Sequence, residues 1–270
     1  MATSFEYVRD FVRTEAGIVI EAGKEYLVES RLTPIAKSEG LGSIDALVNS
    51  LRSSTRTELH RKVVDAMTTN ETTFFRDIDP FEVLKTEILP KLIHARRATR
   101  RLNIWYAASS TGQEPYSVSL LLREHFPELA DWTIDQIGTD ISRKALERAK
   151  AGKYSQLEVN RGMPAHLLLK YFEKKGLDWQ LKDPIRSMVR FQEMNLNGAW
   201  SVPGPFDLVF IRNVMIYFDV QAKKTILNKI RGLLRPDGYL FLGAAETTMG
   251  LDDRFVRWPT ARSGAYTIGA

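Results

Sequence analysis

Two acidic residues stand where a small ligand could meet them. Glu114 lies in Ser109-Ser110-Thr111-Gly112-Gln113-Glu114-Pro115-Tyr116-Ser117. Small residues and one glycine there let a ligand approach the backbone before a helix starts. A carboxylate beside Pro115 at a helix start is favoured by the helix dipole. Glu114 therefore reads either as that terminal charge or as a group aimed at the amine of an aminoacyl cofactor. Asp140 closes Gly138-Thr139-Asp140. It reads either as a cap for the helix beginning near Ser142 or as an acceptor for the two hydroxyls of a ribose. The loop before Glu114 is not GxGxxG and has no Walker lysine, so a dinucleotide or a triphosphate is poorly supported. One carboxylate for an amine and one for a ribose suit S-adenosylmethionine better than a phosphate-bearing cofactor.

The elements that must position these residues come in two grammars. Up to about residue 95 the chain reads as helices only. Phe5, Val8, Phe11 and Val12 recur at helical spacing. A second helix runs from Lys24 past Arg31, disturbed by Pro34, and Ser43 caps a third with Ile44, Leu47, Val48 and Leu51 on one face. Thr55 and Glu58 fit a capping box for a fourth, with Leu59, Val63 and Met67 inward. Asp79-Pro80 opens a helix carrying Phe81, Leu84, Ile88 and Leu92, with Asp79 as its cap. After Arg101 the pattern becomes strand, turn, helix, repeated: LNIWYAA, PYSVSLLLREHF, WTIDQIGTD, SRKALERAKAG, FDLVFIRN, VQAKKTILNKIRGLL and YLFLGA. The last helix is expected to stop at Pro236-Asp237-Gly238. Such alternation predicts a parallel sheet with helices on both faces, whose ligands bind beyond the carboxyl ends of the strands. Between Lys153 and Arg190 the sequence is mixed and turn-rich around Trp179, and reads as an insertion with short strands of its own.

Composition narrows the classes. The 270 residues suit two modest domains, and 44% hydrophobic with 26% charged residues is an ordinary globular balance. No apolar run approaches the roughly 20 residues of a membrane span. The amino terminus mixes charges into its apolar residues and does not read as a signal peptide. Without cysteine there is no disulfide framework, thiolate zinc site or cysteine nucleophile, and His60, His94, His125 and His166 lack metal-ligand spacing. A cytoplasmic, metal-free protein is the expectation. The net charge of +5 and pI near 9.3 favour an acidic partner without saying which kind. Arg96, Arg97, Arg100 and Arg101 read as a solvated interdomain connector, against a dedicated phosphate-binding patch.

Five strings, in order, resemble the chemotaxis receptor methyltransferases, the CheR family. They are Thr69-Asn70-Glu71-Thr72-Thr73-Phe74-Phe75-Arg76; Ala108-Ser109-Ser110-Thr111-Gly112-Gln113-Glu114-Pro115-Tyr116-Ser117; Gly138-Thr139-Asp140-Ile141-Ser142; Asn195-Leu196; and Arg212-Asn213-Val214-Met215-Ile216-Tyr217-Phe218. The resemblance covers almost the whole chain, with Gln113 a departure where a second glutamate is common. It implies an α/β Rossmann-like methyltransferase fold with an all-α N-terminal domain over 1–74, a linker and connecting helix over 75–95, and a cofactor domain over 96–270. A small antiparallel β-subdomain would be inserted at about 153–190. It implies that Glu114 and Asp140 hold the aminoacyl and ribose groups of S-adenosyl-L-methionine, whose product is S-adenosyl-L-homocysteine. Asn70, Thr72 and Arg76 would reach the cofactor from the linker, and Ala108, Asn195, Leu196, Asn213 and Val214 would line its pockets. Arg76 and Tyr217 would lie beside the transferring methyl group. Each position keeps a plainer alternative: Phe74 and Phe75 as core, Arg76 as an interdomain ion pair, Tyr217 as core, Asn195 and Asn213 as turn residues.

The reaction implied is methyl transfer to glutamate carboxylates of methyl-accepting chemoreceptors. Such a nucleophile is already ionised at neutral pH, its unperturbed pKa being about 4.3, so no general base is required. Positioning is the main task, and Arg76 is suited to it by its two-pronged grip on a carboxylate. The acceptor would be the helical cytoplasmic bundle of a receptor, with Lys24, Arg31 and Lys37 steering toward its acidic surface. A receptor C-terminal peptide could add a strand to the insertion. A monomer is expected, with no membrane insertion. A nucleic-acid methyltransferase lacks an aromatic-interleaved basic stripe. A non-catalytic cofactor sensor would have lost Arg76, Tyr217 or Asp140.

Overall fold

The computed structural model describes residues 3–53, 57–260 and 262–269. The first elements are α1 (Ser4–Ala16), α2 (Glu25–Ser38), α3 (Ile44–Ser53) and α4 (Glu58–Met67). Thr3 and Glu6 form a reciprocal capping box at the head of α1, and Gly17 ends it at φ 73°. Ser43 Oγ accepts the Ala46 N–H at the head of α3, at 3.1 Å. Val8, Val12, Val28, Leu32, Leu47, Val48, Leu51, Val63 and Met67 close one core between the four helices. Two expectations change. Helix α2 continues through Pro34 to Ser38, because Pro34 and the residue whose carbonyl it leaves without a donor, Ser30, both face water. Thr55 lies outside the described residues; at the head of α4 the backbone N–H of Thr57 donates to His60 Nδ1 at 3.1 Å.

A continuous helical rod follows: α5 (Asp79–Val83), a π-helical stretch Leu84–Ile88, and α6 (Leu89–Arg96). Asp79 is its first residue rather than its cap. Pro90 supplies no N–H and its ring crowds the turn below, and Leu89 donates back to the Leu84 carbonyl instead. Arg96 is not a solvated connector charge: it bonds Asp207 at 2.7 Å and both carboxylate oxygens of Asp237, tying the rod to the sheet. Arg100 does sit at the surface, paired with Asp131.

Strand β1 (Arg101–Ala107) leads to α7 (Gln113–His125), and β2 (Thr133–Asp140) leads to α8 (Arg143–Ala151). A smaller unit comes next: β3 (Lys153–Ser155), α9 (Gln156–Asn160), α10 (Ala165–Tyr171), β4 (Phe172–Lys175), β5 (Asp178–Leu181) and α11 (Asp183–Arg186). Its three strands form an antiparallel sheet in the order β3-β5-β4. The chain returns through β6 (Val189–Glu193), β7 (Phe206–Ile211), α12 (Val220–Leu233), β8 (Leu234–Leu242), β9 (Phe255–Arg257) and β10 (Ala265–Ile268).

The main sheet runs β6-β2-β1-β7-β8-β10-β9. It is parallel through β8, and then β10 and β9 pair antiparallel, so the sheet is mixed rather than wholly parallel. Helix α12 ends before Pro236, since β8 already starts at Leu234 and absorbs Pro236-Asp237-Gly238 in an irregularity opposite Phe206. Side chains alternate across the sheet as strand geometry requires. Ile104, Tyr106, Leu208 and Phe210 face the core under α7. Trp105, Ala107, Val209 and Ile211 face the core under α12. The strand order reverses between β1 and β7, which places a crevice at their carboxyl ends.

Candidate functional site

That crevice is built by sharp exits from the strands. After β1, Ala108 (φ 62°) and Ser110 (φ 50°) are left-handed, and Gly112 (φ 92°) precedes α7. A Cβ on Gly112 would lie 3.0 Å from both Ala149 and Tyr116, so glycine serves the turn and the packing together. The exit is pinned by Ser109 N–H to the Thr139 carbonyl and by Ser110 N–H to Asp140 Oδ2, both 2.8 Å. Asp140 Oδ1 accepts the Ser142 N–H at 2.9 Å. Ser142 Oγ caps α8 by accepting the Ala145 N–H, so Asp140 is not the cap. Its oxygens each keep a lone pair for a further donor. Burial pushes the Asp140 carboxyl above the ordinary carboxylate range, against the backbone donors that favour its anion.

Glu114, in the first turn of α7, keeps 13% of its side chain exposed and takes Arg212 Nη1 on Oε1 at 2.5 Å. Among the described residues no hydrogen-bond donor meets its Oε2. Burial raises its pKa too, and the Arg212 guanidinium opposes that rise. Arg212 leaves the buried end of β7 with 2% of its side chain exposed. Its Nη2 reaches the Arg76 carbonyl at 2.8 Å and Asp77 Oδ2 at 3.0 Å. Arginine thus bolts the segment carrying Arg76 to the sheet.

The helical unit forms the other wall. Arg31 donates to the carbonyls of Met67 and Thr68 and to Thr69 Oγ1, holding the segment that enters the site. Asn70 donates to Thr68 Oγ1 at 3.1 Å, and its carbonyl accepts Ser110 Oγ at 2.9 Å. Phe74 is buried against Tyr154 and Phe172, and Phe75 packs on Phe81. Among the described residues, the guanidinium of the half-buried Arg76 makes one hydrogen bond, to the Glu71 carbonyl at 3.1 Å. Past α1, Val19 N–H donates to the Tyr217 carbonyl at 2.8 Å, and Ile18 bridges Phe218. Asn195 Nδ2 donates to the Glu15 carbonyl at 2.5 Å.

One pocket is lined by Asn70, Thr72, Arg76, Ala108, Glu114, Asp140, Asn195, Leu196, Asn213, Val214 and Tyr217 together, residues from each of the five strings that the sequence singled out. Lys24, Arg31 and Lys37 lie outside it, on or beside α2. Lys24 pairs with Glu21 at 2.8 Å. Arg31 is spent largely on the 67–69 backbone. The exposed Lys37 has no ion-pair partner among the described residues. The sequence reading missed Ala16 and Ile18, which also line the pocket, and the individual part played by Arg212. A charge ending the buried run FDLVFI was the available sign for Arg212, and Ala16 and Ile18 stand in the string Ala16-Gly17-Ile18, which shares the family resemblance but carries no assigned role there.

The donor set fits an aminoacyl nucleoside. Asp140 offers acceptors for a ribose and Glu114 Oε2 an acceptor for an ammonium. Arg212 Nε and Ser109 Oγ are buried polar atoms of pocket-lining residues with no hydrogen-bond partner among the described residues. Among the described residues no cluster of His, Asp or Glu could hold a metal, and no helix is long and apolar enough to cross a membrane.

Comparison with known proteins shows the family. Residues 70–263 match the profile described as "CheR methyltransferase, SAM binding domain". Residues 3–68 match "CheR methyltransferase, all-alpha domain". The chain is 44% identical to chemotaxis protein methyltransferase 1 of Pseudomonas aeruginosa, over 93% of this chain and 92% of the relative. It is 43% identical to chemotaxis protein methyltransferase Cher2 of Pseudomonas putida over the same shares. It is 39% identical to a chemotaxis protein methyltransferase of Vibrio parahaemolyticus, over 91% of this chain and 89% of that one.

Proposed function

The chain belongs to the CheR methyltransferase family, and on that premise we propose that it is a protein-glutamate O-methyltransferase acting on chemoreceptors. It is an S-adenosylmethionine-dependent methyltransferase; the finer reading concerns the acceptor and the roles of residues. The observation that carries it is the meeting of Arg76 and Tyr217 with Glu114 and Asp140 in one pocket without a base constellation. A glutamate carboxylate needs none, because it is ionised already.

When bound, S-adenosylmethionine supplies a methyl group on a sulfonium, and the new C–O bond to the substrate forms as the C–S bond breaks. Asp140 would accept from the ribose hydroxyls, Glu114 Oε2 from the amine, and Arg212 Nε is the donor suited to the carboxylate of the same end. Asn70, Thr72, Ala108, Asn195, Leu196, Asn213 and Val214 shape the walls. Arg76 would hold one oxygen of the substrate carboxylate and leave the other free, and Tyr217, lining the same pocket, would pack beside the methyl group. Holding reactants in this way can contribute about 7–11 kcal/mol. Residues 1–74 are the receptor-facing helical domain, 75–95 the connector and 96–270 the cofactor domain. Of the three cations expected to steer, Lys37 is the one left to face acidic receptor helices in the cytoplasm, since Lys24 pairs with Glu21 and Arg31 holds the 67–69 backbone. The open edges β3 and β4 of the small sheet suit a receptor tail that adds a strand, and the enzyme acts as a monomer.

The deciding experiment incubates the protein with methyl-labelled cofactor and receptor-bearing membranes, then treats the labelled receptor with alkali. Carboxyl methyl esters release volatile methanol, so base-labile label on the receptor supports the reading. Alkali-stable label, as from methylated nitrogen, overturns the glutamate assignment.

A further inference from the structure

Past β8, Gly243-Ala244-Ala245-Glu246 forms a tight turn in which the Glu246 N–H donates to the Gly243 carbonyl at 2.9 Å. The turn aims the Glu246 carboxylate at the exit from β7. Its Oε2 accepts the N–H of Asn213 at 2.8 Å and of Gly243 at 2.7 Å, and its Oε1 accepts those of Val214 at 3.0 Å and Met215 at 2.8 Å. Four backbone amides thus converge on one carboxylate. Three of them are consecutive, and the first, Asn213, is left-handed at φ 58°. Successive amides in such a turn form a concavity for an anion. Here the anion is a side chain of the protein itself. The fit is tight: a Cβ on Gly243 would come within 2.7 Å of Asn213 Nδ2 and 2.8 Å of both Asn213 N and Glu246 Oε2.

Glu246 does not line the pocket, whereas Asn213, Val214 and Tyr217 do. The segment runs from the clamped amides into a single helical turn, Met215–Tyr217, and its far end is tied to Val19 through the Tyr217 carbonyl. Resting on the cofactor reading above, we propose that Glu246 is a positioning residue, whose carboxylate fixes the 213–217 turn and so sets both the pocket wall and the placement of Tyr217. Charge alone would act otherwise. Glu246 is a like charge near Glu114 and disfavours its anion, so removing it should help Glu114 bind an amine. A loss of affinity therefore reports on position.

The test uses the full chain with Glu246→Ala, Glu246→Asp and Glu246→Gln. Three readouts are S-adenosylhomocysteine affinity by calorimetry, turnover, and amide hydrogen exchange at Asn213, Val214, Met215 and Gly243. Asp keeps the charge but is one methylene too short for four amides; Gln keeps the length but turns one acceptor into a donor. The expected result is weaker binding by roughly tenfold and lower turnover by up to about a hundredfold for Ala, as misplacement by an ångström can cost. Asp and Gln should both fail to restore wild-type values, and exchange should accelerate at those four amides while β7 and β8 stay protected. Binding and turnover of Glu246→Ala within twofold of wild type, unaltered exchange, or full rescue by Asp would each overturn the proposal. If the wild-type protein itself did not bind S-adenosylhomocysteine, the cofactor reading would fall, and the exchange pattern would still decide whether the clamp exists.

Discussion

Asp140 and Arg76 line the same pocket and are held in opposite ways. Asp140 is buried at the end of a central strand, with a backbone donor on each oxygen. Arg76 is half-buried on the connection from the helical unit, and its guanidinium makes one hydrogen bond, to a carbonyl five residues away. The sheet side is preorganised; the linker side keeps a donor fork uncommitted. A rigid cofactor cradle beside an adaptable cation is what an enzyme needs when its small cofactor is constant and its macromolecular acceptor must be seated at each turnover.

The largest expected effect comes from breaking the rigid side. Asp140→Ala should weaken S-adenosylhomocysteine binding by roughly a hundredfold or more, since bonds to a charged group contribute about 1.5–3 kcal/mol each. Calorimetry giving wild-type affinity would remove the ribose role. Arg76→Ala should do the reverse, lowering turnover by about a hundredfold while affinity changes only a few-fold. Wild-type turnover in that variant would end the positioning role of Arg76.

Acidity sharpens the same contrast. Burial raises both Glu114 and Asp140 above their ordinary values of 4.5 and 3.8. For carboxylates raised in the folded state, their contribution to the stability of the cofactor-free protein is full below those ordinary values and is lost as pH rises through the raised ones. Binding an ammonium and a ribose wants the anions and so strengthens over the same window. The stabilisation of Tm by S-adenosylhomocysteine should grow as pH rises through that range. A pH-independent increment would mean that neither carboxylate meets the cofactor. The smallest effect belongs to the surface: Lys37→Glu should reduce kcat/KM for intact receptor by about two- to fivefold at low salt, and the loss should shrink as screening increases. Equal rates at all ionic strengths would place the receptor elsewhere.

The legible parts of the molecule were those written in side chains along one segment. LVFI is an uninterrupted apolar run because both faces of β7 are buried, while the buried Asp207 before it is held by Arg96, and Ser142 caps α8 as its type and place suggest. Four of the five pocket-forming strings lie at or just past the end of a strand, while the first, 69–76, follows α4. What escaped was made between distant segments. Glu246 looks like any surface glutamate until four amides from two loops are seen to meet it. Arg31 reads as a steering charge, yet its partners are carbonyls near residue 67, and a carbonyl has no signature in a sequence. Strands β9 and β10 are too short for a period to show. Pro34 misled because its cost depends on which side of the helix faces water.

On its helical side, the joint with the sheet is made largely of main-chain atoms, the N–H of Val19 and the carbonyls of Glu15 and Thr14, with Arg13, paired to Asp219, as a side-chain exception. Such a seam is blind to the identity of most residues that the helices display. The outer surface of the helical unit can therefore drift, and even be exchanged for that of a relative, while the inner edge still seats against the same groove. Recognition can diversify across a lineage at little risk to the chemistry, which is the modularity that an organism with many receptors to service would exploit.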